Sequence, residues 1–474
     1  MYKDFREKLI SGETTCSANL INSFNIINDN LNLNAFVSLI KDKSIERAAE
    51  IDNRIKNNSQ IGKLAGMTFA IKDNIAVKGE GLTCGSKILE NFRSLYSATV
   101  VNKLESEDAI ILAKSNMDEF AMGSSGEFSY FGRTLNPHDL TRVPGGSSSG
   151  SGVSVAAGMT IASLGSETGG SVRQPASFLG LVGTKPTYGR VSRYGLTAFA
   201  SSLDQVSPFT NCVYDSALIM EVISGVDSND MTSSNREVPE YSKMLNAENL
   251  NGLKVGIPKE YFIDGIEPDI LKAIDETKKL LVDSGAEVIE VSLPNTEYTI
   301  PCYYVIATAE ASSNLARFDG ARYGYRSPNA QTLEEMYVLS RTEGFGEEVK
   351  RRIMTGTFVL SSGYYDAYYK KAQQVRRLLT NDFKNAFSDV DVLLTPTAPT
   401  TSFKFGEKLN NPIAMYLSDI FTAGGNLSGV PAISIPCGKS SENNMPIGIQ
   451  LITSHFREDL MFRVAEFIER NNKN

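Results

Sequence analysis

Residues 144–190 read PGGSSSGSGVSVAAGMTIASLGSETGGSVRQPASFLGLVGTKPTYGR, a stretch in which glycine and small hydroxyl residues crowd together. Glycine lets backbone N–H groups come close to a reacting atom. Thr168, Gly169, Gly170 and Ser171 could therefore turn their N–H groups toward one oxygen, as an oxyanion hole must, with the Ser171 hydroxyl beside them as nucleophile. The bland alternative is a flexible Gly/Ser linker. It fits poorly with residues 153–164, which are small and apolar and read as a buried helix and strand. A phosphate-cradling loop is disfavoured too, because no Gly-x4-Gly-Lys-Ser/Thr pattern is present.

A serine nucleophile needs a base. The chain has two histidines. His138 sits in the turn sequence Asn-Pro-His-Asp and His455 in a polar segment behind the last strand candidate, so both read as structural or solvated. Two histidines also exclude a three-histidine metal site. Lysine is the remaining base, and it serves only where burial lowers its pKa toward neutrality. Lys72 meets that demand, because the strand-like Met67-Thr68-Phe69-Ala70-Ile71 would carry it into the interior. The competing reading is a surface lysine at a strand end.

These residues need a framework to hold them. Residues 14–30 carry apolar positions at helical spacing behind a Ser/Thr-type cap, and 35–39 reads as a short strand. Then follow 67–71 extended, 98–105 helical and 109–114 extended; later come 253–257, 268–283, 287–291 and 390–394 in the same alternation. The class is α/β. Residues 226–251 are polar and read as a surface excursion within one domain. Residues 362–387 form a long helical pattern in which Tyr364, Tyr365, Tyr368 and Tyr369 recur at i, i+4, a stripe expected to serve packing.

Composition narrows the function. With 41% hydrophobic and 22% charged residues, the 474-residue chain can bury a large core. Its net charge of -8 removes the positive field that phosphate binding draws on, so it is not expected to grip nucleic acid itself. Five scattered cysteines without a Cys-x-x-Cys pair fit reduced thiols in a cytoplasm. No apolar run approaches the ~18 residues of a membrane span, so no export or membrane insertion is expected.

The motifs GGSSSGSG, GSETGGSVRQPAS and GTKPTYGR stand in the order found in the amidase signature family, and FAIKDNI around Lys72 resembles that family's catalytic-lysine segment. The likeness spans essentially the whole chain. It implies Ser171 as the acyl-forming serine, Ser147 as the serine that relays protons through a cis peptide, and Lys72 as the base. It also implies one α/β/α domain, 1–474, around a twisted mixed sheet, with the signature core at about 66–195. The loop departs from the commoner pattern at Ser149, where glycine is usual, which touches local loop geometry only.

Further stretches resemble the tRNA-dependent amidotransferase branch of that family: NMDEFAMGSS at Asn116, SSNLARFDGARYG at Ser312, VKRRIM at Val349, SSGYYDAYYKKAQ at Ser361 and LLTPTAP at Leu393. This implies a glutaminase that hydrolyses glutamine through an acyl-enzyme and supplies ammonia, within a cytoplasmic heterotrimer, to a partner that converts Glu-tRNA(Gln) to Gln-tRNA(Gln). A free amino acid must be held by its α-carboxylate and α-ammonium. By resemblance, Arg352 and Asp419 are the corresponding contacts and Tyr303 a third. The tRNA, ATP and Mg are expected on the B and C subunits, with no cofactor or metal in this chain. A stand-alone amidase acting on another small amide is the alternative, and a non-enzymatic anion-binding scaffold would leave Ser171 unreactive.

Overall fold

The computed structural model describes residues 2–409 and 411–472. At its centre is one eleven-stranded sheet. The strands are β1 (Phe36–Leu39), β2 (Thr68–Lys72), β3 (Ile110–Ser115), β4 (Ala162–Glu167), β5 (Val182–Lys185) and β6 (Gln205–Thr210). After these come β7 (Lys254–Pro258), β8 (Glu287–Val291), β9 (Val392–Pro396), β10 (Ala432–Lys439) and β11 (Pro446–Thr453). Their spatial order is β1-β3-β2-β4-β6-β5-β10-β11-β9-β7-β8. The sheet is mixed: β3, β2 and β4 run parallel, as do β9, β7 and β8, and the strands between pair antiparallel.

Both faces are covered. Successive side chains of a strand point to opposite sides, and in β3 Ile110 and Leu112 join one apolar cluster while Ile111 joins another. Burial on both faces explains why β2, the apolar TFAIK run, is buried at every position. The helix Ser149–Ala156 is buried as well, despite its serines. Ser151 Oγ donates to the Leu164 carbonyl at 3.1 Å and Ser154 Oγ to the Ser151 carbonyl at 2.8 Å, so these hydroxyls are satisfied locally. The unusual Ser149 hydrogen-bonds Thr134 Oγ1 at 3.1 Å.

Element bounds follow the sequence pattern closely. The first pattern becomes the helix Cys16–Asp29, capped by the Thr15 side chain accepting from the Ala18 N–H. The helix Pro268–Asp283 opens on a proline at its first position, where no intrahelical N–H partner is missed. The polar segment 226–251 is irregular except for the short turn Tyr241–Lys243. It is held to the core by buried Tyr241, Leu245 and Leu250.

One expectation is corrected. The tyrosine stripe does not pack into the core: Tyr364, Tyr365 and Tyr368 are exposed, on and just before the π-helical turn Asp366–Lys370. Their rings lie against one another and against Phe358, at 4.3 Å for Phe358–Tyr364 and 6.0 Å for Tyr364–Tyr368. The following helix, Lys371–Asp389, buries Ala372, Leu379, Phe383 and Ala386 instead. Among the described residues no helix is long and apolar enough to cross a membrane.

Candidate active site

Lys72 ends β2 and is fully buried. Its Nζ has three partners: Ser147 Oγ at 2.8 Å, Ser148 Oγ at 2.8 Å and the Ser166 carbonyl at 3.2 Å. Ser148 Oγ donates its own proton to the Ser166 carbonyl at 3.0 Å. Toward Lys72, Ser148 and Ser166 are therefore both acceptors. A neutral amine has two protons and one lone pair, so both protons are used on these acceptors and the lone pair faces the Ser147 hydroxyl. Burial lowers the Lys72 pKa to about 7, against the opposing pull of Asp118 and Asp204. The site can hold lysine in the form a base requires.

Ser147 is buried and follows a cis Gly146–Ser147 peptide. Its carbonyl accepts from the Asp118 N–H at 3.1 Å, and the Gly146 N–H donates to Gln174 Oε1 at 3.1 Å. The Ser148 N–H donates to the Ser171 carbonyl at 3.3 Å, which brings the two serine segments side by side.

Ser171 leads from the end of β4 toward the helix Arg173–Leu179. A buried ion pair spans it: Arg173 Nε donates to Glu167 Oε1 at 2.8 Å, and Glu167 Oε2 accepts the N–H groups of Val172 and Arg173 at 3.2 and 3.0 Å. The loop between is pinned residue by residue. Thr168 Oγ1 donates to Asp204 Oδ1 at 2.6 Å, and the Gly169 carbonyl accepts from Thr422 Oγ1 at 2.7 Å. A Cβ on Gly169 would stand 2.6 Å from Tyr303 Cζ, so only glycine permits the tyrosine ring this close.

Two of the three expected substrate contacts, Tyr303 and Asp419, stand against this loop, and Arg352 lines a neighbouring cavity. Tyr303, from the helix Thr299–Leu315, lies against Gly169. Asp419 Oδ2 accepts from Ser124 Oγ at 2.6 Å, while Asp419 Oδ1 is buried without a hydrogen-bond partner and would stand 3.0 Å from a Cβ on Gly170. Burial raises the Asp419 pKa to about 7. Arg352 lies on the helix Glu347–Leu360, its Nε donating to Glu348 Oε1 at 2.8 Å. Its guanidinium stands 5.3 Å from the Tyr304 ring and 5.7 Å from that of Tyr416. A cavity of about 330 Å³ lined by Gly123, Glu348, Arg352 and Tyr416 opens beside it.

The structure thus gathers Lys72 with Ser147, and sets Tyr303 and Asp419 against the loop that ends in Ser171. The histidines stand apart, Nε2 of His138 on the Leu179 carbonyl and that of His455 on the Ser428 carbonyl, each at 3.0 Å. Sequence reasoning missed Ser148, Asp204, Thr422 and the Glu167–Arg173 pair. The pair alone had a local signal, an acid and an arginine flanking Thr-Gly-Gly-Ser.

Comparison with known proteins agrees. A protein of Fusobacterium nucleatum described as the A subunit of glutamyl-tRNA(Gln) amidotransferase is 54% identical over 470 residues, covering 99% of this chain and 96% of that one. A Koribacter versatilis protein of the same description is 56% identical over 437 residues, 92% of this chain and 91% of its own length. The crystal structure of the Thermotoga maritima protein so described superposes with a TM-score of 0.79 at 44% identity, covering 99% of this chain and 93% of that one. Residues 23–462 match the family described as Amidase. The chain belongs to the amidase family.

Proposed function

We propose that this chain is the glutaminase component of a cytoplasmic glutamyl-tRNA(Gln) amidotransferase, working as one functional domain beside B and C subunits. Ammonia released here passes to a partner that converts Glu-tRNA(Gln) to Gln-tRNA(Gln). The tRNA, ATP and Mg belong to those partners, in keeping with a net charge of -8 on this chain. The observation that carries the reading is the contact set of Lys72, whose two acceptors, Ser148 and the Ser166 carbonyl, leave the lone pair of the neutral amine for Ser147.

Neutral Lys72 takes the proton of Ser147 as Ser147 takes that of Ser171, and Ser171 Oγ bonds to the side-chain amide carbon of glutamine. The carbonyl electron pair moves onto oxygen, where the N–H groups of 168–171 stabilise it. When the pair returns, the C–N bond breaks and the proton held by Lys72 passes through Ser147 to the leaving nitrogen, which departs as ammonia. Water attacks the acyl-enzyme over the same relay, releasing glutamate and restoring Ser171. The unpartnered Asp419 Oδ1 receives the α-ammonium, Arg352 receives the α-carboxylate, and Tyr303 walls the site over Gly169.

The test is ammonia release from glutamine and from propionamide by the chain purified with its partner subunits. Two charge-assisted contacts of about 1.5–3 kcal/mol each favour glutamine by at least ~100-fold in kcat/KM. Comparable values on both amides would support a stand-alone amidase instead.

A further inference from the structure

Thr422 stands where the oxyanion loop meets the segment that carries Asp419. It is fully buried; its hydroxyl donates to the Gly169 carbonyl at 2.7 Å, with the Asp419 carbonyl 3.1 Å away. Its N–H also donates to the Asp419 carbonyl at 3.1 Å, closing a turn. Its own carbonyl accepts from Arg173 Nη2 at 2.9 Å. Gly170 has φ +152, and a Cβ there would stand 2.2 Å from Thr422 Oγ1. The threonine hydroxyl occupies the room that glycine leaves.

We infer that Thr422 is a positioning residue for the oxyanion hole, an inference that rests on the amidase reading of Ser171. A trans peptide is a rigid plane whose C=O and N–H point opposite ways. Holding the Gly169 oxygen on Thr422 therefore turns the Gly170 N–H the other way, toward the reacting oxygen. The same side chain fixes the separation between that N–H and Asp419, so the donor that meets the developing charge and the carboxylate that meets the α-ammonium share one anchor.

The experiment compares Thr422→Val, Thr422→Ser and Ser171→Ala in the full chain purified with its partner subunits. Valine keeps the volume and loses the donor; it is expected to lower kcat for glutamine by about 10- to 100-fold with KM changed less than about threefold, because a misdirected oxyanion donor affects the transition state. Serine keeps the donor and is expected to return kcat to within about threefold of the parent. If the valine variant does not accumulate, Thr422→Ala carries the same expectation. A kcat within about twofold of the parent in the donor-less variant, a loss confined to KM, or a serine variant no better than valine overturns the inference. An inert Ser171→Ala beside a fully active Thr422→Val removes this inference alone, whereas an active Ser171→Ala removes the reading beneath it.

Discussion

Glu167 and Arg173 form an ion pair with no exposure to solvent, and Ser171 lies between them in the chain. Removing one partner of such a pair leaves a buried charge uncompensated. Arg173→Met is expected to destabilise the fold by about 3–5 kcal/mol, seen as a lowered denaturation midpoint. The double variant with Glu167→Gln should lose less. If both variants match the parent, the pair has no structural role.

On the proposed mechanism Ser171→Ala removes the nucleophile and little volume, so glutamine hydrolysis should fall by about 10⁴-fold or more while the far-ultraviolet circular dichroism spectrum stays that of the parent. Near-parental turnover in the folded variant would exclude Ser171 as the acylated residue.

Lys72→Arg should be as damaging as Lys72→Ala, because a guanidinium stays protonated and cannot accept from Ser147. Substantial turnover by the arginine variant would assign Lys72 a purely electrostatic part.

Burial brings Lys72 down and Asp419 up to the same neighbourhood, about 7 for each. On the proposed function both must be deprotonated for glutamine: the amine to accept a proton, the carboxylate to attract an ammonium. As pH falls below about 7, kcat/KM for glutamine should drop with a limiting slope near two. An uncharged amide has no use for Asp419, so its profile should drop with a slope near one. Identical slopes on both substrates would sink the assignment of Asp419.

Arg352→Ala and Asp419→Ala should each raise the KM for glutamine by roughly 10- to 150-fold, the equivalent of a charge-assisted contact of about 1.5–3 kcal/mol. Turnover of propionamide by the same variants should change little. Equal losses on both amides would mean that the two residues support the loop and do not select the substrate.

Much of this was legible in the chain. The crowding of glycine and serine around Ser171, with too few histidines to serve it, led to Lys72, the apolar run before Lys72 accounts for its burial, and Ser147 came through likeness to a family. Substrate contacts came only through likeness to a family, because Tyr303, Arg352 and Asp419 sit on separate helices and turns without a shared local pattern. Thr422 and Asp204 were not legible. Thr422 acts on a carbonyl 253 positions away, and no periodicity or motif carries such a pairing. The tyrosine stripe misled because helical spacing sets which residues share a face, while contact with the rest of the fold decides whether that face is covered. Strands β5, β6, β10 and β11 escaped notice partly because Pro208 and Pro436 interrupt their patterns.

The order of the sheet divides labour along the chain. Strands β1 to β6, which end at Thr210, form one side, strands β7 to β11 form the other, and β5 and β10 meet at the seam. Lys72, Ser147 and Ser171 belong to the first side's strands and connections, whereas Tyr303, Arg352 and Asp419 all come from the second. On the proposed function, the proton relay and the substrate contacts are therefore encoded in successive stretches of one gene, with Thr422 reaching back from the later stretch to hold the oxyanion loop. On that reading, substitutions at Tyr303, Arg352 and Asp419 that spare Thr422 retarget the enzyme to a different amide while the relay stays in place. On the ribosome the segments that carry Lys72, Ser147 and Ser171 are also synthesised before those that carry Tyr303, Arg352 and Asp419.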